Sequence, residues 1–112
     1  MSEYRLNAYH IMWIFVFFDL PTETKKNRKD AVKFRKELER DGFTMMQFSV
    51  YVRHCPSKEN MDVHIKRVQI SMPPAGQVSI MSITDKQYGN ILNFQGKVQK
   101  ELQAGPRQLE LF

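Results

Sequence analysis

Among the side chains able to hydrolyse or transfer phosphoryl groups, Asp19 stands out by position. It ends an unbroken apolar run, residues 11–18, in the segment IMWIFVFFDL. A carboxylate at the end of a buried strand sits where the chain leaves the core and meets solvent. That place suits metal binding or acid–base work, and it suits an ordinary strand-end Asp equally well. One carboxylate holds Mg²⁺ weakly, because the ion keeps most of its waters. A two-fold dimer that brings two copies of Asp19 to one phosphate makes a better site. Other hydrolytic chemistries lack their residues. Cys55 is the only cysteine, so there is no thiolate pair for zinc and no internal disulfide. His10, His54 and His64 show no ligand spacing such as His-Glu-x-x-His. His54 and Cys55 are neighbours in a strand pattern, so their side chains point to opposite faces. There is no Gly-rich phosphate loop and no Gly-x-Ser-x-Gly elbow.

The second chemical feature is charge. Seventeen Lys and Arg stand against 12 Asp and Glu, a net of +5, with a pI near 9.5. An anionic partner is expected, nucleic acid first, then an acidic protein or membrane surface. Residues 23–41 carry much of the excess. Their spacing predicts a helix capped by Thr22 or Thr24 and stopped at Gly42. Ala31, Phe34 and Leu38 fall on one face, and Lys25, Lys29, Lys33, Lys36 and Arg40 fall nearly opposite. Lys26 and Arg28, near the helix start, lie close enough to Asp19 to steer nucleic acid. Asp30, Glu37 and Glu39 partly neutralise this ridge, and a solvated face is the bland alternative. We expect Lys25, Lys26, Arg28, Lys29, Lys33, Lys36 and Arg40 to face phosphates.

The elements that must position these residues follow from periodicity and punctuation. At 112 residues the chain is one domain, with room for one sheet and two or three helices. Residues 1–10 are a polar lead-in. The aromatic run at 11–18 reads as a strand buried on both faces; a membrane span needs about 20 apolar residues. Leu20-Pro21-Thr22 breaks it. After Gly42, residues 43–53 alternate as a strand that is long enough to bend, or to divide near 44–47. Pro56 ends it and Ser57 caps a second helix, residues 58–71, with Met61, Ile65, Val68 and Met72 on one face. Pro73-Pro74 stops that helix. A strand at 77–83 and a short helix through about Leu92 follow. Gly105-Pro106 interrupts the tail, and residues 108–112 read as a final strand. The order βαββαβ is the α+β, ferredoxin-like split βαβ arrangement with an antiparallel sheet, plus a C-terminal extra strand. Its core is 11–92 and its tail 93–112. Right-handed crossovers put the first strand in the middle and both helices on one face. The other face then needs cover, which suggests self-association. One cysteine, seven methionines and no secretory signal indicate a cytoplasmic protein with no membrane partner. The RNA-binding pattern basic-Gly-aromatic is not met by Asp41-Gly42-Phe43-Thr44.

The segment VFFDLPTETKKNRKDAVKFRKELERDGFTMMQFSVYV, residues 16–52, resembles the family of CRISPR-associated protein two. The family pattern is a hydrophobic strand ending in aromatic-Asp, a basic helix, a Gly, then Gln-x-Ser-Val-aromatic. Here these are Phe18-Asp19, the helix with Lys26 and Arg28, Gly42, and Gln47-Phe48-Ser49-Val50-Tyr51. With the opening FDLPT and the later SITDKQYGNI, the chain looks closest to the type II branch. The resemblance implies a ferredoxin-like homodimer that bridges two dimers of a larger CRISPR integrase subunit and holds double-stranded DNA on its basic surface. The integrase would carry out the transesterification. The resemblance also implies Mg²⁺-dependent cleavage of RNA or DNA, with Asp19 as catalytic residue and metal ligand. Some members carry Arg just before Gln-x-Ser-Val-aromatic; this chain has Met45-Met46, which favours the scaffold over the nuclease.

Overall fold

The apolar run becomes β1 (Met12–Asp19) in the computed structural model, which describes residues 11–100. β1 is hydrogen-bonded on both edges. Along one lies β3 (Val50–Cys55), antiparallel, from Met12 opposite Cys55 to Phe17 opposite Val50. Along the other lies β4 (Gln77–Thr84), antiparallel, from Met12 opposite Thr84 to Asp19 opposite Gln77. β2 (Thr44–Gln47) pairs outside β3, so the sheet order is β2-β3-β1-β4. With α1 (Lys25–Arg40) and α2 (Lys58–Ile70) the order is βαββαβ, a ferredoxin-like arrangement. A one-turn helix, α3 (Asp85–Tyr88), follows β4, and β5 (Asn93–Gln95) with β6 (Val98–Lys100) forms a separate hairpin.

The helix caps explain the boundaries. Thr24, not Thr22, caps α1: its hydroxyl accepts from the Asn27 amide at 3.0 Å, so the helix starts two residues later than the charge pattern suggests. Gly42 ends the connection at φ +89°, a conformation that favours glycine. Ser57 caps α2 as expected, accepting from the Asn60 amide at 3.0 Å. The long strand does divide, but at Phe48-Ser49 rather than within 44–47. Ser49 takes φ +68°, turning the chain between β2 and β3. The helix expected to reach Leu92 stops at Tyr88, where the Asn90 amide closes back on the Gln87 carbonyl instead of extending the helix. The β5–β6 hairpin has no counterpart among the elements expected from periodicity. The strand expected at 108–112 and the lead-in at 1–10 lie outside the described residues.

Alternation along β1 feeds two cores. Met12, Ile14, Val16 and Phe18 face the helices and pack with Phe34 and Leu38 of α1 and Val68 of α2. Both long helices therefore cover one face, as right-handed crossovers require. Met61 and Ile65 join this core from α2, but Met72, expected on the same stripe, is exposed because Ser71 already ends the helix. On the other face Trp13 and Phe15 pack with Val52 and Tyr88. This face was expected to need a second copy to cover it. α3 covers part of it: the Tyr88 ring stacks on Trp13 at 3.6 Å, and Trp13 Nε1 donates to Asp85 at 2.8 Å. The end of the face nearest Phe17 stays open to solvent.

Asp41, the C-cap of α1, joins the two long helices. Its Oδ2 lies 2.7 Å from Nδ1 of buried His64, and Oδ1 accepts from Arg67 at 2.8 Å. Its carbonyl accepts from Arg53 Nε at 2.8 Å. Burial alone would raise the Asp41 carboxyl; the hydrogen bonds from His64 and Arg67 together outweigh it and hold the group below the usual carboxylate value of 3.8. A group depressed on folding contributes stability above its unfolded value and loses it as pH falls through the folded one. We therefore expect Asp41→Asn to cost about 2 kcal/mol at neutral pH. Near pH 3 the difference from wild type should shrink in urea titrations. A constant difference across that range would detach the acid sensitivity from Asp41.

Candidate nucleic-acid interface and the Asp19 strand end

Asp19 is exposed at the last position of β1, on the same face as Phe17. Its carboxylate makes no side-chain hydrogen bond or ion pair with any described residue. The backbone around it is tightly held. The Phe18 amide donates to the Ser49 carbonyl at 3.1 Å. Gly76, at φ +99°, comes so close that a Cβ there would lie 2.8 Å from the Asp19 carbonyl oxygen. Arg28 Nη1 donates to the carbonyls of Thr22 and Glu23 at 3.0 and 3.3 Å. Arg28, expected to face phosphates, is exposed, and its guanidinium reaches back past the Thr24 cap to these two carbonyls ahead of the helix, pinning the loop that leaves Asp19.

No three His, Cys, Asp or Glu side chains gather as a ligand set among the described residues. A lone open carboxylate fits Mg²⁺ held jointly with substrate phosphate, and does not fit a closed all-protein cage. The cysteine and histidines among the described residues are committed elsewhere. Cys55 is fully buried, and that burial pushes its thiol upward, away from the thiolate form. His64 is bound to Asp41. His54 packs its ring edge-on against Trp13 at 5.1 Å, on the face opposite Cys55, as their adjacency implies.

All seven basic residues singled out on α1 are exposed. Lys26, Lys29, Lys33, Lys36 and Arg40 line one shallow depression of about 520 Å³, shared with Asp30, Val32 and Glu37. Lys25 is exposed but does not line it. Lys26 pairs with Asp30 and Arg40 with Glu37, each at 2.9 Å. These are exposed pairs, worth about 0.5 kcal/mol or less, so a phosphate displaces them readily. Glu39 turns instead toward Tyr51, whose hydroxyl donates to it at 3.2 Å. Arg35 is the residue that periodicity did not single out. It sits on the flank of the apolar stripe, half-buried, with its guanidinium 4.5 Å from the Phe48 ring centroid and 5.7 Å from that of Phe18. Its only mark in the sequence is its place beside Phe34, one step off the buried face.

An antiparallel βαββαβ domain with an open Asp at the end of its first strand and a basic helix directly after it defines a class: a small ferredoxin-like domain with one strongly cationic helix face. The family model described as CRISPR associated protein Cas2 matches residues 12–91, and the chain belongs to that family. It is 55% identical over 108 residues to the CRISPR-associated endoribonuclease Cas2 of Flavobacterium psychrophilum, covering 96% of this chain and 94% of that one. It is 50% identical over 101 residues to the protein of the same name from Parvibaculum lavamentivorans, covering 90% and 100%. For that of Paracidovorax avenae the identity is 43% over 107 residues, covering 96% and 99%. No helix among the described residues is long and apolar enough to cross a membrane.

Proposed function

We propose that this protein is a homodimeric, cytoplasmic subunit of CRISPR spacer acquisition that holds double-stranded DNA by its phosphates and bridges dimers of a larger integrase subunit. The observation that carries this reading is the row of Lys26, Lys29, Lys33, Lys36 and Arg40 along one exposed helix face. Cations spaced along a helix meet a phosphate backbone without reading bases, so binding is independent of sequence and weakens steeply with salt. Replacing Lys29, Lys33 and Lys36 together by Gln should lower the slope of log affinity against log salt by about 0.9 for each phosphate no longer neutralised. Fluorescence anisotropy with a labelled duplex over a salt series measures that slope. An unchanged slope would remove the ridge from the interface.

A second reading is favoured by the open carboxylate of Asp19 together with the name endoribonuclease borne by the relatives. In it, Asp19 of each copy faces one scissile phosphate of an RNA strand. Mg²⁺ bound there would stabilise charge on the phosphate and lower the pKa of a bound water. The two carboxylates hold that site in place, while Arg28, through Thr22 and Glu23, keeps the loop behind them rigid. Incubation of labelled single-stranded RNA with wild type, in Mg²⁺ and in chelator, tests it. Cleavage confined to Mg²⁺ is expected; equal cleavage in chelator would take the metal out of the reaction.

A further inference from the structure

The structure assigns Arg35 and Phe48 as a stacking platform for one unpaired nucleobase beside Asp19. Phe48 occupies the turn between β2 and β3, a place where Gly, Asn or Asp usually serves the backbone. Phe48 is 67% exposed. It is also held. The Arg35 guanidinium lies over it, 4.5 Å from the centroid, and the same guanidinium is 5.7 Å from buried Phe18. One face of the ring is thus covered by a braced cation, and the exposure belongs to the other face and the edges. A base laid on that open face would complete a base–phenyl–guanidinium stack. Such stacks suit any base, because every base has a π-face, and the cation adds to the attraction. A duplex keeps its bases inside, so the ligand is a single strand or an unpaired end.

The turn is also fixed in position. Ser49, next to Phe48, holds φ +68° and accepts the Phe18 amide at 3.1 Å. Phe48 and Asp19 therefore lie one residue to either side of the same hydrogen bond. The Asp19 carboxylate is on the Phe17 face and Arg35 with Phe18 on the helix face, so a strand with a base on Phe48 rounds the end of β1 to bring a neighbouring phosphate to Asp19. The inference rests on the nuclease reading only for that last step; base binding itself does not require cleavage.

The test separates the two. Binding is measured in an Asp19→Asn chain, so that cleavage cannot distort it, by anisotropy with a short labelled oligoadenylate as ribo-strand, deoxy-strand and duplex. Phe48→Leu, which keeps apolar bulk but no ring, should weaken single-strand binding about tenfold. Phe48→Tyr should restore it, and duplex affinity should stay within about twofold in both. Equal losses on the ribo- and deoxy-strands support a platform that reads the base alone; a loss confined to the ribo-strand supports an RNA subsite. Unchanged single-strand affinity in Phe48→Leu would overturn the inference, as would an equal loss on duplex. A fall in self-association, seen by sedimentation with single-strand affinity intact, would overturn it too, giving the ring to an interface between copies. Failure of the nuclease reading shows separately, as RNA cleavage that does not need Asp19.

Discussion

Asp19→Ala should abolish metal-dependent RNA cleavage, by about a thousandfold or more, and leave the fold intact. The loss is expected to be large because this carboxylate is the one acid at the strand end, and the described cysteine and histidines are tied up in packing. Cys55 is in the core, His64 holds Asp41, and His54 packs on Trp13. The fold should survive because the Asp19 side chain is exposed, while the pairing of its backbone with Gln77 does not depend on side-chain identity. Substitutions at such positions usually change stability by about 0.5 kcal/mol or less. Asp19→Asn should lose as much activity as Asp19→Ala, since it keeps the shape and removes the charge. Duplex DNA binding through α1 should stay within about twofold in both, because the ridge is a separate set of cations. Cleavage, thermal melting and duplex binding measured on the same preparations check these statements together. Cleavage that persists in Asp19→Ala would end the nuclease role of this residue and leave the binding role standing.

Trp13→Ala should cost about 4 kcal/mol, a large part of the roughly 5–15 kcal/mol expected of a domain this size. Three effects combine. Trp13 is 1% exposed, so its removal opens a cavity in the second core. Tyr88 loses the ring it stacks on at 3.6 Å. Asp85, 6% exposed, loses the indole N–H that donates to it at 2.8 Å, which adds the cost of a buried carboxylate short of a donor. Because Tyr88 and Asp85 are both in α3, the short helix should come loose from the sheet and uncover the face it now caps. Trp13→Phe should cost about half as much, keeping the ring but not the donor. Trp13 is the only tryptophan, so unfolding of these variants is best followed by circular dichroism in urea. A loss below about 1 kcal/mol would mean that α3 is held by something other than this residue.

Local pattern alone determined the element order of the βαββαβ core and its short following helix, but not the β5–β6 hairpin. The apolar run ending at Asp19, the Thr24 and Ser57 caps, Gly42 and Pro73-Pro74 mark where strands and helices begin and stop. Right-handed crossovers then admit essentially one sheet order. The exposure of Asp19 was legible for the same reason, since the apolar run ends there. So was the exposed row on α1, because helical periodicity separates Lys29, Lys33 and Lys36 from Ala31, Phe34 and Leu38. The pattern puts the break at Phe48-Ser49 too early, because a left-handed Ser between Phe48 and Val50, with no Gly, Asn or Asp beside it, reads as a continuing strand. Pairings between distant residues were decided only by the tertiary structure. Trp13 and Asp85 are 72 residues apart, and Asp41 reaches His64 and Arg67 across 23 and 26. Arg28 turns to its own loop while Arg35 turns to Phe48, although both are arginines on one helix. Periodicity says which face a side chain is on. Which partner it meets depends on strand register and on how the helices seat on the sheet, and those are set by the packing of the whole chain.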